Sequence, residues 1–243
     1  MLKVNNLNKS FGNKKVLIDA TFDVNSGEIV GILGENGAGK TTLMRIITTL
    51  LKPDEGSFEV DDYKNDKDDN EIRKRIGVLF GNDTGLYNEL TGRENIEYFA
   101  TLNGMSKRDA RQVAEILAEK LEFSAFINKK VGKMSKGMKQ KIAFARALIH
   151  NPSLIILDEP EAGLDFVAAK IVFDFMKECK AENKAVLFSS HSMENIKLCS
   201  DRIIVLKNGT IVANVSMSEL RDKFTDREIN EYLFSFVERG EKI

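Results

Sequence analysis

"EIVGILGENGAGKTTLMRII", residues 28–47, joins a short apolar run to a glycine-rich turn and then to a segment with helical periodicity. The turn matches the pattern Gly-x4-Gly-Lys-Thr, in which glycines let backbone N–H groups point inward at phosphate oxygens. The helix that follows adds its positive N-terminal end to the same site. Lys40 would then reach the β- and γ-phosphates, and the Thr41 hydroxyl would bind magnesium. The stretch therefore predicts a phosphate-binding loop that consists of Gly34, Glu35, Asn36, Gly37, Ala38, Gly39, Lys40, Thr41 and Thr42.

Three more apolar runs have the length and β-branched content of buried strands. They are "RIGVLF" (75–80), "SLIILD" (153–158) and "AVLFSS" (185–190), and they alternate with longer periodic segments. This alternation predicts an α/β protein with a mostly parallel sheet. Residues 2–27 and 202–216 are typical of antiparallel hairpins, and Asn208-Gly209 forms the turn of the second one.

Helical patterns replace strand patterns between residues 86 and 150, which predicts an inserted helical subdomain there. We expect a main domain over residues 1–216 and a helical tail over 217–243. In the tail, Ile229, Leu233 and Phe236 share one helical face, so the tail should pack against apolar surface of its own domain. The polar segment 60–75 lacks the glycine and the ligand spacing of a calcium loop, and a solvated linker is the favoured interpretation.

Composition limits the classes of partner. The 243 residues are 42% hydrophobic, which suits one globular domain, and 36 basic residues against 37 acidic ones give no basic excess for nucleic acid. We therefore expect no nucleic-acid partner. Cys179 and Cys199 have no metal-ligand spacing and should be buried. No apolar stretch is long enough to cross a bilayer, so we expect any membrane role to depend on a partner.

Two further strands end in side chains suited to catalysis. Asp158 ends "LIILD" and suits magnesium binding, while Glu159 could accept a proton from an attacking water. His191 follows "LFSS" and could donate a hydrogen bond to a γ-phosphate or position that water. The alternatives are a strand that happens to finish in acids and a structural histidine. We favour function because the carboxyl ends of parallel strands are where ligands bind. His150, near a helix end, is typical of a residue favoured by the helix dipole.

The ordered motifs "GENGAGKT", "MSKGMKQK", "LIILDEP", "EAGLD" and "SSH" resemble the ATP-binding cassette of ABC transporters over residues 1–216. The resemblance implies an α/β fold of the P-loop NTPase (RecA-like) class, with an antiparallel β subdomain and an inserted helical subdomain. It also implies a homodimer that holds two ATP molecules between its subunits, with Mg2+ as the metal.

The same resemblance assigns roles to individual residues. Phe11 matches an aromatic residue that stacks on adenine, although it could equally be a core residue of a strand. Ser135 and Gly137 begin a helix and would contact the γ-phosphate held by the other subunit. Asp165 matches a loop that links the two sites, with Glu161 where the family more often has Ser or Thr. The lysines around Ser135 are expected to be solvated.

One motif departs from the family pattern. A glutamine that contacts magnesium usually follows the strand at 75–80, but this chain has Gly81, Asn82 and Asp83. Asn82 could replace it as an oxygen ligand. The region after it faces the membrane subunit in the family, so Leu86, Tyr87 and Tyr98 are expected either in that docking surface or in the core of the helical subdomain.

The forms "SKGMKQ" and "GLYNELTGREN" resemble the bacterial exporter branch that moves drugs, sodium, lipids or polysaccharides. This implies an ATP-hydrolysing subunit in the cytoplasm, bound to the inner face of the cell membrane through a separately encoded integral permease. A soluble ATPase of a non-transport system such as iron–sulfur cluster assembly is the alternative. Chromosome-organising proteins with this cassette carry long coiled coils, and translation factors of the superfamily carry two cassettes. This chain has neither feature.

Overall fold

A computed structural model describes residues 1–81 and 85–239. Its larger sheet has six strands in the order β10-β9-β3-β8-β7-β6. These strands are β3 (Ile29–Leu33), β6 (Ile76–Phe80), β7 (Leu154–Asp158), β8 (Ala185–Ser190), β9 (Arg202–Lys207) and β10 (Thr210–Ser216). All neighbouring pairs are parallel except β9 and β10, which form the predicted hairpin. The four core strands predicted from the sequence are confirmed.

Alternate residues of the larger sheet face two different hydrophobic cores. Ile32 and Ile156 pack on one side with helix α1 (Lys40–Ile47) and the smaller sheet. Leu33 and Leu157 pack on the other side with most of the remaining helices. Strands β3, β7 and β8 are therefore buried along their whole length, which explains why they are continuous apolar runs.

The smaller sheet is antiparallel, with the order β2-β1-β4-β5. Strands β1 (Leu2–Phe11) and β2 (Lys14–Val24) form the predicted N-terminal hairpin, and β4 (Glu55–Val60) and β5 (Tyr63–Lys64) complete the sheet. Segment 60–75 is not a simple linker, because it also contains helix α2 (Asp69–Arg75). Ile72 anchors this helix and is fully buried, while acidic residues in its first turn and basic residues in its last turn suit the helix dipole.

The described residues between 85 and 150 carry three α-helices, as the periodicity predicts. They are α3 (Gly92–Leu102), α4 (Lys107–Lys120) and α5 (Lys136–Leu148), and short 3-10 turns lie between α4 and α5 at Ser124–Phe126 and Val131–Lys133. The side chains of Thr91, Ser106 and Ser135 cap the three helices. Helix α5 packs back against β6, so its first turn has a fixed position relative to the larger sheet.

The remaining helices cover one face of the larger sheet. They are α6 (Phe166–Ala181), α7 (Met193–Cys199), α8 (Met217–Lys223) and α9 (Asp226–Arg239). Ile229, Leu233 and Phe236 of α9 are buried in the core on that face, which confirms that the tail packs on its own domain. Cys179 and Cys199 are free and buried, as expected. No helix in the described part of the chain combines the length and the apolar character that a membrane span requires.

A half-buried ion pair joins the two sheets. The Arg202 guanidinium donates to both carboxylate oxygens of Glu28, at 2.7 and 2.9 Å, and to the carbonyl oxygen of Asp23 at the end of β2. Burial acts to raise the pKa of Glu28, but the hydrogen bonds from Arg202 and from Asn25 outweigh it and hold the pKa below its ordinary value. The pair therefore stabilises the junction while Glu28 is ionised.

We expect Arg202→Ala to lower the free energy of unfolding by about 1–3 kcal/mol, because it leaves a half-buried carboxylate without its partner. Urea unfolding measures this. Arg227→Ala is the control, since the Arg227–Glu231 pair is exposed and should contribute less than about 0.5 kcal/mol. An equal loss in both arginine variants would contradict the prediction.

The same ion pair should make the stability depend on pH. Because the Glu28 pKa is lower in the folded state, the contribution of the Glu28 carboxylate to the free energy of unfolding is complete above the ordinary pKa of 4.5. The stability difference between wild type and Glu28→Gln should therefore shrink as the pH falls below that value.

Candidate active site

The predicted catalytic side chains meet at the carboxyl edge of the larger sheet. The phosphate loop (Gly34–Thr42) follows β3, Asp158 ends β7, and His191 follows β8. These three strands are neighbours and parallel, with Leu33 paired to Ser190 and Asp158 paired to Ser189. Residues that are far apart in the sequence therefore surround one space.

Two glycines of the phosphate loop are required by close backbone contacts. A Cβ atom at Gly34 would lie 2.4 Å from the carbonyl oxygen of Leu206. A Cβ atom at Gly39, whose φ is +110°, would lie 2.7 Å from the carbonyl oxygen of Val16. Gly37 faces open space instead. The loop is therefore seated tightly on β2 and β9 and is open on its other side.

The Lys40 side chain is curled inside the loop. Its ammonium donates to the carbonyl oxygens of Gly34, at 2.6 Å, and Glu35, at 3.0 Å. Burial lowers the pKa of this ammonium, and the carboxylates of Glu159 and Asp158 act in the opposite direction. The first turn of α1, which begins at Lys40, contains no acidic residue that would neutralise the helix dipole. The site therefore presents an ammonium and a positive helix end, which favours an anion.

A network of hydroxyl and carboxylate groups lies beside the loop. The Thr41 hydroxyl donates to Oδ2 of Asp158 at 2.7 Å, and the Ser189 hydroxyl donates to Oδ1 at 2.5 Å. Ser189 is fully buried and also accepts from the backbone N–H of Glu159. Ser189 is not among the residues predicted from the sequence, because only the pairing of β7 with β8 places it opposite Asp158.

Glu159 is the residue after Asp158, but its side chain points away from this network. Its backbone has the left-handed φ of +51°, so the chain turns sharply as β7 ends. Its Oε1 lies 3.6 Å from Nδ1 of His191, which is longer than a hydrogen bond. The His191 side chain is 65% exposed. The two side chains therefore border the same space, and within the described residues no hydrogen bond joins them.

An open cleft of about 370 Å³ runs along the phosphate loop. It is lined by Gly37, Lys40, Thr42 and Glu159 and also by Phe11. The Phe11 ring is 52% exposed, and the Lys9 ammonium lies 5.6 Å from its centre. Phe11 is thus not a core residue of its strand, and its ring is available to a flat ligand in the cleft.

Ser135 and Gly137 lie in a different cleft. Ser135 accepts from the N–H of Met138 and caps α5, as predicted. The cleft beside it also contains Gly163 and Asp165, and none of the described residues that line it belongs to the phosphate loop. One subunit therefore does not bring Ser135 together with Lys40.

The "EAGLD" loop is joined to the His191 loop. The Glu161 carboxylate accepts from the hydroxyl of Ser190 and, at 3.3 Å, from the side-chain amide of Asn195. Asp165 caps α6 by accepting from the N–H of Ala168 at 2.8 Å. Neither hydrogen bond of Glu161 could be predicted from the sequence, because each depends on the order of the strands.

The remaining candidates lie away from the phosphate loop or outside the described residues. Asn82 falls outside the described residues. Tyr87 and Tyr98 are exposed and contact each other edge-to-face, with ring centres 5.5 Å apart, whereas Leu86 packs against the core. His150 is largely buried, with Nε2 3.2 Å from the carbonyl oxygen of Ile76. Burial lowers the His150 pKa, which favours the neutral form, so a charged interaction with the helix dipole is not its role.

Most of the lysines around Ser135 are solvated. Lys129, Lys130 and Lys133 are exposed, whereas Lys139 and Lys141 are half-buried. The Lys141 ammonium donates to the carbonyl oxygen of Glu122, which lies near the end of α4. The exposed lysines agree with the prediction, and the other two pack partly along α5.

Comparison with known proteins agrees with this geometry. A family described as "ABC transporter" matches residues 17–162. The ABC transporter ATP-binding protein NatA of Bacillus subtilis is 39% identical over 244 residues and 99% of each chain. The Nod factor export ATP-binding protein I of Bradyrhizobium diazoefficiens is 36% identical over 215 residues, which cover 88% of this chain and 70% of that protein.

The fold is also similar to solved structures. One is a dimeric ATP-binding cassette in a post-hydrolysis state bound to ADP and Pi, with a TM-score of 0.82 and 31% identity. The match covers 89% of this chain and 99% of that one. The larger sheet, the phosphate loop and the helices around them therefore form a known nucleotide-binding arrangement.

We expect Lys40→Ala to weaken ATP binding by roughly tenfold or more, because it removes a charge-assisted hydrogen bond to the phosphates. Equilibrium titration with a fluorescent ATP analogue measures this. Lys133→Ala is the control, since Lys133 is exposed and lies outside the loop. Equal affinity in the two variants would contradict the role of Lys40.

Proposed function

The chain belongs to the ABC transporter family, and we propose that it is the ATP-hydrolysing subunit that drives export through a separately encoded membrane permease. As a member of this family, the chain has ATPase activity. The observation that carries the proposal is that the site is in two parts. The phosphate loop, Asp158, Glu159 and His191 meet at one edge of the larger sheet, whereas Ser135 lies in a separate cleft.

ATP would bind with its phosphates in the loop and its adenine against Phe11. The loop holds the Lys40 ammonium in place, where it would neutralise the β- and γ-phosphates. Backbone N–H groups at the start of α1 would complete the cradle. Phe11 is exposed at the end of the same cleft and would offer an aromatic face to the base.

The residues beside the loop fit a magnesium ion. The Thr41 hydroxyl and the Asp158 carboxylate are 2.7 Å apart, and Mg2+ prefers oxygen ligands of these kinds together with phosphate oxygens. Magnesium, when bound, neutralises phosphate charge and orients the γ-phosphoryl group. Asn82 stays a proposed additional ligand. Ser189 would hold the Asp158 carboxylate in one plane through its bond to Oδ1.

Hydrolysis would use Glu159 and His191. A water molecule attacks the γ-phosphorus, its proton passes to the Glu159 carboxylate, and the bond to the bridging oxygen breaks to release ADP. His191 would donate a hydrogen bond to a γ-phosphate oxygen. The two side chains border one space, so both can act on the same phosphoryl group.

A second copy of the chain would complete each site. The α5 N-terminus at Ser135 and Gly137 is suited to an anion but lies apart from its own phosphate loop. In a head-to-tail homodimer it would contact the γ-phosphate that the other subunit holds. ATP would then join the subunits, and hydrolysis would release them and reset the permease.

The proposed permease partner and the proposed direction of transport rest on analogy with relatives. Nod factor export is part of the name of one similar protein. Tyr87 and Tyr98 form an exposed aromatic surface on the helical segment, which suits docking to a membrane subunit. We propose that the chain acts in the cytoplasm, at the inner face of the membrane, without nucleic acid.

We expect Glu159→Gln to bind ATP normally, to lose at least about 100-fold in hydrolysis rate, and to form an ATP-dependent dimer, because the proton acceptor is lost while the cradle is kept. Phosphate release and size-exclusion chromatography with ATP measure these effects. Glu219→Gln, on the exposed surface of α8, is the control. Hydrolysis at the wild-type rate would refute the assignment of Glu159.

The chain should co-purify with a polytopic membrane protein from detergent extracts of its host. Tyr98→Ala should lower that recovery and leave ATP binding unchanged, because Tyr98 is exposed and outside the nucleotide cleft. Leu198→Ala, at another exposed apolar position, on α7, is the control. Recovery of soluble scaffold proteins alone would favour the iron–sulfur alternative over transport.

A further inference from the structure

Helix α9 is fixed along its length by its buried face. Ile229 and Leu233 are fully buried and Phe236 nearly so, within the core that also contains Leu33 at the end of β3 and Val205 of β9. The helix therefore has one position relative to the strands that carry the phosphate loop.

Both ends of α9 are also tied to segments that border the active site. Near its C-terminal end, the Lys207 ammonium donates to the carbonyl oxygen of Glu238. Lys207 precedes the Asn208–Gly209 turn, where the Gly209 N–H donates to the carbonyl oxygen of Ala38 in the phosphate loop. Near its start, the amide of Asn230 lies 3.4 Å from Oε1 of Glu194, three residues after His191.

The other face of α9 borders the hydrolysis site. A cleft of about 410 Å³ is lined by Gly34, Asn36, Glu159 and His191 and also by Phe234 and Val237 of α9. Phe234 is 49% exposed, so a large apolar side chain stays open to the cleft that contains Glu159 and His191. Val237 also borders a second cleft, which is lined in part by residues of the phosphate loop.

We infer that Phe234 is a positioning residue for His191. The imidazole is 65% exposed and 3.6 Å from Glu159, so no short hydrogen bond to that carboxylate fixes it. The Phe234 side chain forms an apolar wall that offers the imidazole no hydrogen bond and occupies part of the volume that the imidazole could enter. Phe234 thus favours the orientations in which the imidazole faces the phosphate loop and Glu159. This inference rests on the proposed role of His191.

The backbone that carries Phe234 is held in place by the core. Phe234 belongs to the exposed side of a helix whose opposite side is buried, so the position of its backbone does not depend on the ligand. For the same reason, shortening Phe234 removes the wall without opening the buried face. The effect on folding can therefore be separated from the effect on the site.

The test compares the ATPase rates of wild type, Phe234→Ala and Phe234→Leu in the full chain at saturating ATP and magnesium. Phe234→Ala should lower kcat roughly tenfold, because a displaced catalytic group loses its alignment. Nucleotide affinity should change less than about twofold, because the contacts of the phosphate loop are untouched. Phe234→Leu should restore most of the rate, since it keeps an apolar side chain. Leu198→Ala, an exposed apolar truncation on α7, is the control.

A double-mutant cycle identifies the residue through which Phe234 acts. If it acts through His191, Phe234→Ala should have no further effect in a His191→Ala chain. An equal loss in both backgrounds would overturn the inference, and so would an unchanged kcat in the single variant or a failure of Phe234→Leu to restore it. The proposed function is tested separately, because wild-type hydrolysis does not depend on the outcome of this cycle.

Imidazole NMR gives a readout that a general loss of structure would not produce. The chain has two histidines, and His150 is partly buried beside β6, at the opposite edge of the larger sheet from the β9–β10 hairpin near which α9 packs. Phe234→Ala should shift the ring resonances of His191 and leave those of His150 in place. Movement of both sets, or of neither, would overturn the inference.

Discussion

The parallel register of β3, β8 and β7 is the constraint on which the site depends. It sets Leu33 beside Ser190 and Asp158 beside Ser189, so three loops leave the sheet next to one another. A shift of one residue would turn Asp158 to the opposite face. Such a shift is unfavourable because both faces of these strands are buried, Ile156 in one core and Leu157 in the other. The hydrophobic pattern thus fixes the position of a carboxylate.

The strand register also positions the phosphate loop, whose arrangement favours ligand binding but lowers the stability of the fold. Lys40 is buried among backbone carbonyl groups, and none of the described carboxylates lies within hydrogen-bond distance of its ammonium, so burial lowers its pKa. A phosphate group would supply the missing negative charge. The loop can keep this unfavourable arrangement because contacts outside the site hold it, at Gly34 against Leu206 and at Gly39 against Val16. Binding and folding therefore use different contacts of the same nine residues.

The sequence predicted those parts of the fold in which a local pattern determines the structure. The buried strands are apolar runs, and the cap residues Thr91, Ser106 and Ser135 precede periodic helices. Helix α2 was missed because its many charges obscure a single buried anchor, Ile72. Ser189 was missed because its partner lies 31 residues away, and only the pairing of β7 with β8 brings them together. The place of α9 beside the cleft was missed for the same reason, since it depends on tertiary packing.

The loop that carries His191 differs from the phosphate loop in how it is held. Lys40 is bound by carbonyl groups of its own loop, whereas the residues around His191 are bound by other segments. Ser190, before it, donates to Glu161 of the "EAGLD" loop, and Glu194, after it, accepts from Asn230 of α9. A displacement of either segment would therefore be transmitted to the residues beside His191 through a hydrogen bond. Because α9 is also linked to Ala38 through Lys207 and the Gly209 turn, a shift of α9 would affect the phosphate loop as well.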